Sequence, residues 1–551
     1  MRRRPMTLLA PFLPLVLLVP SQGFGQDDAH AACAATGWVP RQILDRPVPI
    51  RPGVGNAHED VTTSSKEAQA FYDQGLNYLH GYVWIEAARS FTQALRHDPD
   101  LAMAHVGLSR VYSGLDAADE ARAALSRAQA LAPKASARER RRIELRARQL
   151  EALADLTDVA RHAAYKKAID DALAADIDDV ELWLLRGNAE EATAAGRGQR
   201  GGAASTAFYL TALKRAPDLG AAHHYLTHSY ETIGQIPLAL EHGEVYARIA
   251  PAIPHAHHMW GHDLRRVGRI DDAISAFKKT DVLEKAYYDT EKIDRSYDWH
   301  HVHNLDLLAG SYQHKGQMRL AEATLREALA QPAVTDRLAF DQKGLAMFLI
   351  DRGRFEEGLA AARALGESRW PVARSVGRAF AGEALLGLKR RADAEQELAA
   401  ATAELREVPG TVAGISVSRG QVKPYVDMLQ AKLMLTTDAA REGRVILQEV
   451  ERVLRATPGP DAWMSALFRL EAIARAAREA GDWELADFTA GQMLEHDAAY
   501  GGSHWAAALV ARQRGDVPTA DAAFASAARY WRDADADLPE LTLTRRAAAS
   551  R

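Results

Sequence analysis

Seven glycines recur along the chain at near-regular intervals: Gly234, Gly268, Gly316, Gly353, Gly387, Gly481 and Gly515. The steps between them are 34, 48, 37, 34, 94 and 34 residues. Five residues after several of these comes a small alanine (Ala239, Ala273, Ala321, Ala486, Ala520), and four further on an aromatic often follows, as in Phe277 and Phe524. The stretch GLNYLHGYVWIEAARSFTQALRHDP (75–99) shows the same order, with Gly75, Tyr78, Ala87, Phe91, Ala94 and Pro99. A period of this length between helical patterns restricts the chain to a stack of helical hairpins. Glycine ends the first helix in a left-handed turn, small residues let the two helices approach, and proline stops the second. One hairpin cannot bury its own apolar stripe, so neighbours must stack.

This order resembles the tetratricopeptide repeat, a 34-residue helix–turn–helix unit, over most of residues 65–532. The resemblance implies an all-α solenoid, a superhelix of hairpins, and it speaks to fold rather than to activity. Residues 27–62, rich in Pro and Gly, read as an extended arm. An N-terminal array follows over 63–330, a C-terminal array over 331–535, and a disordered tail over 536–551. Residues 136–155 read as a long helix opened by a Ser136/Glu139 capping box. The run VPGTVAGISVSRGQVKP (408–424) reads as a loop insertion that accounts for part of the 94-residue step.

At 551 residues, with 47% hydrophobic and 26% charged residues, the chain has the composition of a soluble protein too long for one compact core. Its start, MRRRPMTLLAPFLPLVLLVPSQGFGQ (1–26), has three arginines, an apolar stretch over 7–19 and then small polar residues. That is the pattern of a secretory signal peptide, and it predicts a periplasmic or secreted protein with no membrane span after cleavage. The apolar stretch falls short of the roughly 20 residues a spanning helix needs. Loss of Arg2, Arg3 and Arg4 takes the net charge from −5 to −8, which argues against a nucleic-acid partner. Cys33 is the only cysteine, so no disulfide framework is expected.

Twelve of the twenty histidines lie between residues 223 and 314. In the repeats ending at Gly234, Gly268 and Gly316, the positions 11, 8, 7 and 4 before the glycine form the packing stripe, which assigns His223 and His257 to the core. The positions 13, 10, 6 and 3 before it form a second stripe: Ala221/His224/His228/Glu231, His255/His258/His262/Arg265 and His303/Asp306/Gly310/Gln313. At 100° per residue this stripe lies roughly 130° round the helix from the first. In tetratricopeptide proteins the corresponding face lines the concave groove, and that placement is what the resemblance implies. HYLTH (224–228) and HMWGH (258–262) are i, i+4 pairs able to chelate one ion from one helix face. Together with His303 they form a candidate site for Zn, Cu, Fe or Ni, with Glu231 and Asp306 as candidate ligands, orienting groups or general bases. His255 and Arg265 are candidates for the surroundings, and so are Tyr288, Tyr297 and Trp299. These three aromatics come from the fourteen extra residues of the 48-residue step, which read as a lid, a stacking wall or simple packing. His255, His300 and His301 lie at helix starts, where solvent exposure is the plainer expectation.

ARERRRIELRAR (137–148) reads as a solvated helical face, and GRGQRGG (196–202) as an interhelical connection. No nucleophile elbow, HExxH, dinucleotide or kinase motif is present. The whole pattern is similar to a group of bacterial tetratricopeptide proteins whose consecutive first helices carry HxxxH-type motifs. Several readings stay open. One is a metalloprotein, as a hydrolase or oxidase acting on a small-molecule substrate. A second is an interaction scaffold that holds a peptide or protein partner in the groove. Metal storage or delivery, and a pH-sensitive pocket for an anion, complete the set.

Overall fold

The computed structural model describes residues 39–190, 202–298, 300–333, 336–410, 417–457, 459–542 and 544. The signal-peptide region, Cys33, Trp299 and most of the glycine-rich 196–202 run lie outside them. Among the described residues there are 26 α-helices and no strand. Successive helices pair as antiparallel hairpins, beginning with Lys66–His80 and Trp84–His97 and ending with Gly501–Gln513 and Val517–Tyr530. The chain is an all-α solenoid.

The close approach inside each hairpin follows from its small residues. Ala87, Ala239, Ala273, Ala321 and Ala486 are fully buried where the second helix crosses the first. A Cβ on Gly75 would meet the Phe91 ring at 2.7 Å, and one on Gly261 would meet the Phe277 ring at 2.7 Å. Gly75 is therefore a packing glycine inside a helix. The turn of that hairpin is made by Tyr82, five residues before Ala87, with φ 59°. Asp116 and Lys389 occupy the same left-handed turn position, with φ 60° and 62°. This corrects one assignment, since Gly387 is the last residue of the Pro371–Gly387 helix and Lys389 makes the turn.

Other local expectations resolve similarly. The Ser136/Glu139 capping box opens the Ala137–Leu153 helix. Its basic face is not solvated throughout. Arg142 is buried against Glu59 and Asp179, and Arg146 is buried against Ser109, Ser113 and Gln149. The loop insertion ends early, because a helix runs from Arg419 to Met434 with Pro424 inside it. The fourteen extra residues before Gly316 lengthen one second helix to 22 residues, Ile270–Glu291, and add a short 3-10 turn at Arg295–Tyr297. Residues 536–542, expected in the disordered tail, dock instead. Leu538 and Leu541 are buried, and Glu540 pairs with Arg352 at 2.9 Å.

The arm is tied down along its length. Asn56 bonds Asp218 and Gly220, the Gly53 carbonyl accepts the Ala252 N–H, and Arg51 pairs with Glu86 and Glu291. The two largest apolar cores run from Val39 to Ile293 and from Leu264 to Leu541, and Trp260 packs against both. The histidine-bearing helices lie at this seam.

Candidate metal centre

Helices Gly220–Thr232, Pro254–Arg266 and His300–His314 are the first helices of three consecutive hairpins. A four-residue spacing puts two side chains one above the other on the same face. His224 and His228 therefore point together, as do His258 and His262, and matched register in stacked helices turns the pairs toward each other. The first hairpin closes over them, with the Tyr82 ring 4.7 Å from the His224 ring and 5.6 Å from that of His255. His224, His228, His255, His258, His262, His300 and His303 are all buried, none more than 8% exposed.

The rings form two triads. In the first, His228 Nε2 lies 3.1 Å from His224 Nε2 and 3.4 Å from His255 Nε2. In the second, His262 Nε2 lies 2.8 Å from His258 Nε2, and the His303 ring packs 4.8 Å and 5.9 Å from those two rings. Within each triad the ligand nitrogens all lie within 4.8 Å of one another. His300 sits between the triads, its ring 5.0 Å from that of His255 and 4.3 Å from that of His258. An ion about 2.0–2.1 Å from each nitrogen would subtend roughly 85° across the 2.8 Å pair and roughly 110° across the 3.4 Å pair, angles that suit four-coordinate or five-coordinate metals.

The outer nitrogens have partners that turn lone pairs inward. His224 Nδ1–H donates to the His80 carbonyl at 2.7 Å, which leaves Nε2 unprotonated. Asn304 donates its amide to the Phe277 carbonyl, so its Oδ1 is free to accept the His258 Nδ1–H at 3.0 Å. His262 Nδ1 lies 3.5 Å from Glu231 Oε1. His255 Nδ1 meets His300 Nε2 at 3.1 Å, and His300 Nδ1 meets the Glu284 carboxyl. Such outer partners fix tautomer and ring orientation in metal-binding histidines. An acceptor lone pair on His258 Nε2 only 2.8 Å from another ring nitrogen is repulsive unless a proton or a cation lies between them.

Burial, reinforced by neighbouring rings, pushes the His255 and His258 imidazoles well below their ordinary range. Burial takes His224 and His300 down to about 3. These rings are neutral near pH 7, the form in which imidazole ligates a metal. Burial also raises the Glu284 carboxyl to about 8, a penalty on its charge that a nearby cation would offset.

The anticipated residues divide as follows. His224 and His228 belong to one triad and His258, His262 and His303 to the other, so they do not share a single spot. His255 completes the first triad, and both it and His300 are buried rather than solvent-facing at their helix starts. Glu231 stands behind His262 at its outer nitrogen, the place of an orienting carboxylate. Asp306 lines a separate small cleft with Gln313, Lys343 and Met464. Arg265 reaches the C-terminal array, its guanidinium 4.9 Å over the Trp463 ring, where burial lowers it to about 10. Tyr288 packs on His301 and under Arg295. Tyr297 lines a cavity of about 300 Å³ that reaches His255 and His300. His223 and His257 stand apart, each bonding a proline carbonyl six residues back.

Four residues escaped the sequence reading: Tyr82, Glu284, His300 as a bridge and Asn304. Only Tyr82 carried a signal, as a bulky residue five before a buried alanine, where other repeats place glycine. A third cluster, Asp281, His301 and Glu327, is of another kind. Lys285 Nζ lies 2.9 Å from both carboxylates, so an ammonium already holds the place of a cation there.

No protein-family model matches the chain, and no curated protein matches it. Similar solved structures include the human IFIT1 dimer with PPP-AAAA, at 11% identity and TM-score 0.39 over 78% of this chain and 90% of that one. Yeast Tom70 follows at 11% and 0.30, over 88% and 96%. PilW, a type IV pilus biogenesis factor, matches at 17% and 0.25, over 49% and 94%. These likenesses carry no argument about function. The chain's own repeating hairpins decide the architecture. It is a tetratricopeptide-type solenoid.

Proposed function

We propose that this protein is an exported metalloenzyme that holds two transition-metal ions in paired three-histidine sites at the seam of the solenoid. One observation carries the reading: two adjacent, buried imidazole triads in which the outer nitrogens of His224, His258 and His255 are engaged by a carbonyl, an amide and a further histidine. Three nitrogen donors per ion, without a carboxylate among them, suit copper or zinc best, iron less well, and magnesium or calcium poorly. Three protein ligands leave a fourth position for water or substrate, the pattern of catalytic rather than structural sites. There a bound ion would supply Lewis-acid or redox chemistry. The His80 carbonyl and Asn304 would hold ligand tautomers, Glu231 would orient His262, and the first hairpin would exclude bulk water.

The scaffold reading has less support, because buried rings under the first hairpin cannot tune a peptide lying in an open groove. Neutral imidazoles likewise give an anion nothing to pair with. The exported address rests on Arg2–Arg4 and the apolar stretch 7–19. The test is elemental analysis of purified mature protein, with about two copper or zinc ions per chain expected. His224→Ala should lose one ion, and His224→Ala with His258→Ala should lose both, with helical circular dichroism retained. A folded wild-type protein that takes up neither metal on dialysis would sink the proposal.

A further inference from the structure

The cavity of about 300 Å³ beside the first triad shares its wall with the metal-binding residues, since His255 belongs to both. Its two ends differ. At the inner end lie His255 and His300, only 4% and 5% exposed, with the carboxyls of Glu284 and Asp298 on the same wall, which disfavour an anion further. At the outer end Arg51 of the arm, with a side chain 26% exposed, pairs with Glu86 and Glu291. Arg89 pairs with the same two carboxylates, so these four charges cancel. Between the ends the wall is built from Tyr82, Trp84, Tyr287, Tyr297 and Ile253. Tyr82 and Trp84 are already stacked, ring centroids 5.3 Å apart.

From this geometry we infer that the cavity takes an uncharged aromatic molecule of one or two rings, lying between the tyrosines with its polar edge toward His255 and His300, as the substrate of the metal centre. The inference rests on the metal-centre reading. Volume sets the size, because an apolar cavity of about 150 Å³ holds benzene and this one is roughly twice that. The aromatic walls favour a flat ring in offset or edge-to-face contact over an aliphatic chain. Charge sets the polarity. Among the described residues the mouth offers no unpaired cation, so a carboxylate or phosphate entering would be stripped of water without recompense.

The test uses the full mature chain carrying its metal, titrated calorimetrically with 2-naphthol, neutral at pH 7, and with 2-naphthoate as its anionic counterpart. One 2-naphthol should bind per chain, at least tenfold more tightly than 2-naphthoate. Leu283→Trp, which fills the cavity from a half-buried wall position, should weaken 2-naphthol at least tenfold while metal content stays at two ions per chain. Absence of 2-naphthol binding to fully loaded protein overturns the inference, as does equal affinity for the anion or indifference to Leu283→Trp. Should the protein prove metal-free yet bind 2-naphthol in a Leu283-sensitive way, the cavity's ligand class stands and the metal reading falls.

Discussion

A tyrosine holds a left-handed backbone at position 82, where six other hairpin turns use glycines with φ between 72° and 79°. That conformation costs a side-chain-bearing residue roughly 1–2 kcal/mol. Lys389 bears the same cost on the surface, whereas the Tyr82 ring is buried against His224, His255 and Trp84. Packing over the histidines therefore outweighs strain at 82, and nothing comparable does so at 389. Lys389→Gly should raise the melting temperature, by the equivalent of about 0.5–1 kcal/mol once the extra freedom of the unfolded chain is counted. Tyr82→Gly should lower it by about 2–4 kcal/mol, the loss of a buried aromatic less the strain relieved. Thermal unfolding of the two variants decides between these signs. The same contrast separates what was legible at this scale. HYLTH and HMWGH announce themselves because i, i+4 spacing is local geometry. His255 was legible only as part of the surroundings, and the burial of His300 was not legible at all, because their cover comes from distant residues.

The fourteen extra residues act at the scale of the element. A second helix of ordinary length, such as Ile236–Ile249 with 14 residues, would end near residue 283 if begun at Ile270. Glu284, Tyr287 and Tyr288 therefore stand on the added turns, and Tyr297 on the loop that follows. The insertion supplies both the carboxyl that holds His300 and much of the cavity wall. Another element-scale consequence concerns the Ala440–Ala456 helix, where burial raises the Glu451 carboxyl to about 7 and Thr489 donates to it. Its folded value exceeds its unfolded one, so the native state holds an extra proton. Stability from this group is full below about pH 4.5, is lost as pH rises through 7, and is flat above. The loss is at most about 3 kcal/mol. Glu451→Gln mimics the protonated form and should abolish that decline, so its melting temperature should exceed wild type at pH 8 and match it at pH 4.5. An unchanged pH profile would refute the assignment.

For the whole molecule, the ends of the chain act as straps. The arm crosses from the first hairpin to Glu291, and residues 535–542 return from the C-terminal array to the hairpin that turns at Gly316. There the Gly316 carbonyl accepts the Asp535 N–H, and Leu538 and Leu541 are buried. Truncation after Ala534 removes both leucines and the Glu540–Arg352 pair. It should cost about 3–6 kcal/mol, mostly from the leucines. Thermal unfolding of the truncated protein should show a clear drop. An unaltered melting temperature would mean that this docking contributes nothing.

Hairpin periodicity, the six glycine turns and the two i, i+4 histidine pairs were determined by sequence alone, because helices close their hydrogen bonds within four residues and repeat every 3.6. Only tertiary structure decided which rings share a centre. His224 is fixed by a carbonyl 144 residues away, and the first hairpin roofs the site from the far end of the array. Stacking angle, superhelical closure and the meeting of two cores at Trp260 sum many weak contacts between residues remote in sequence. No local spacing encodes that sum, so one anticipated cluster proved to be two enclosed triads joined by His300.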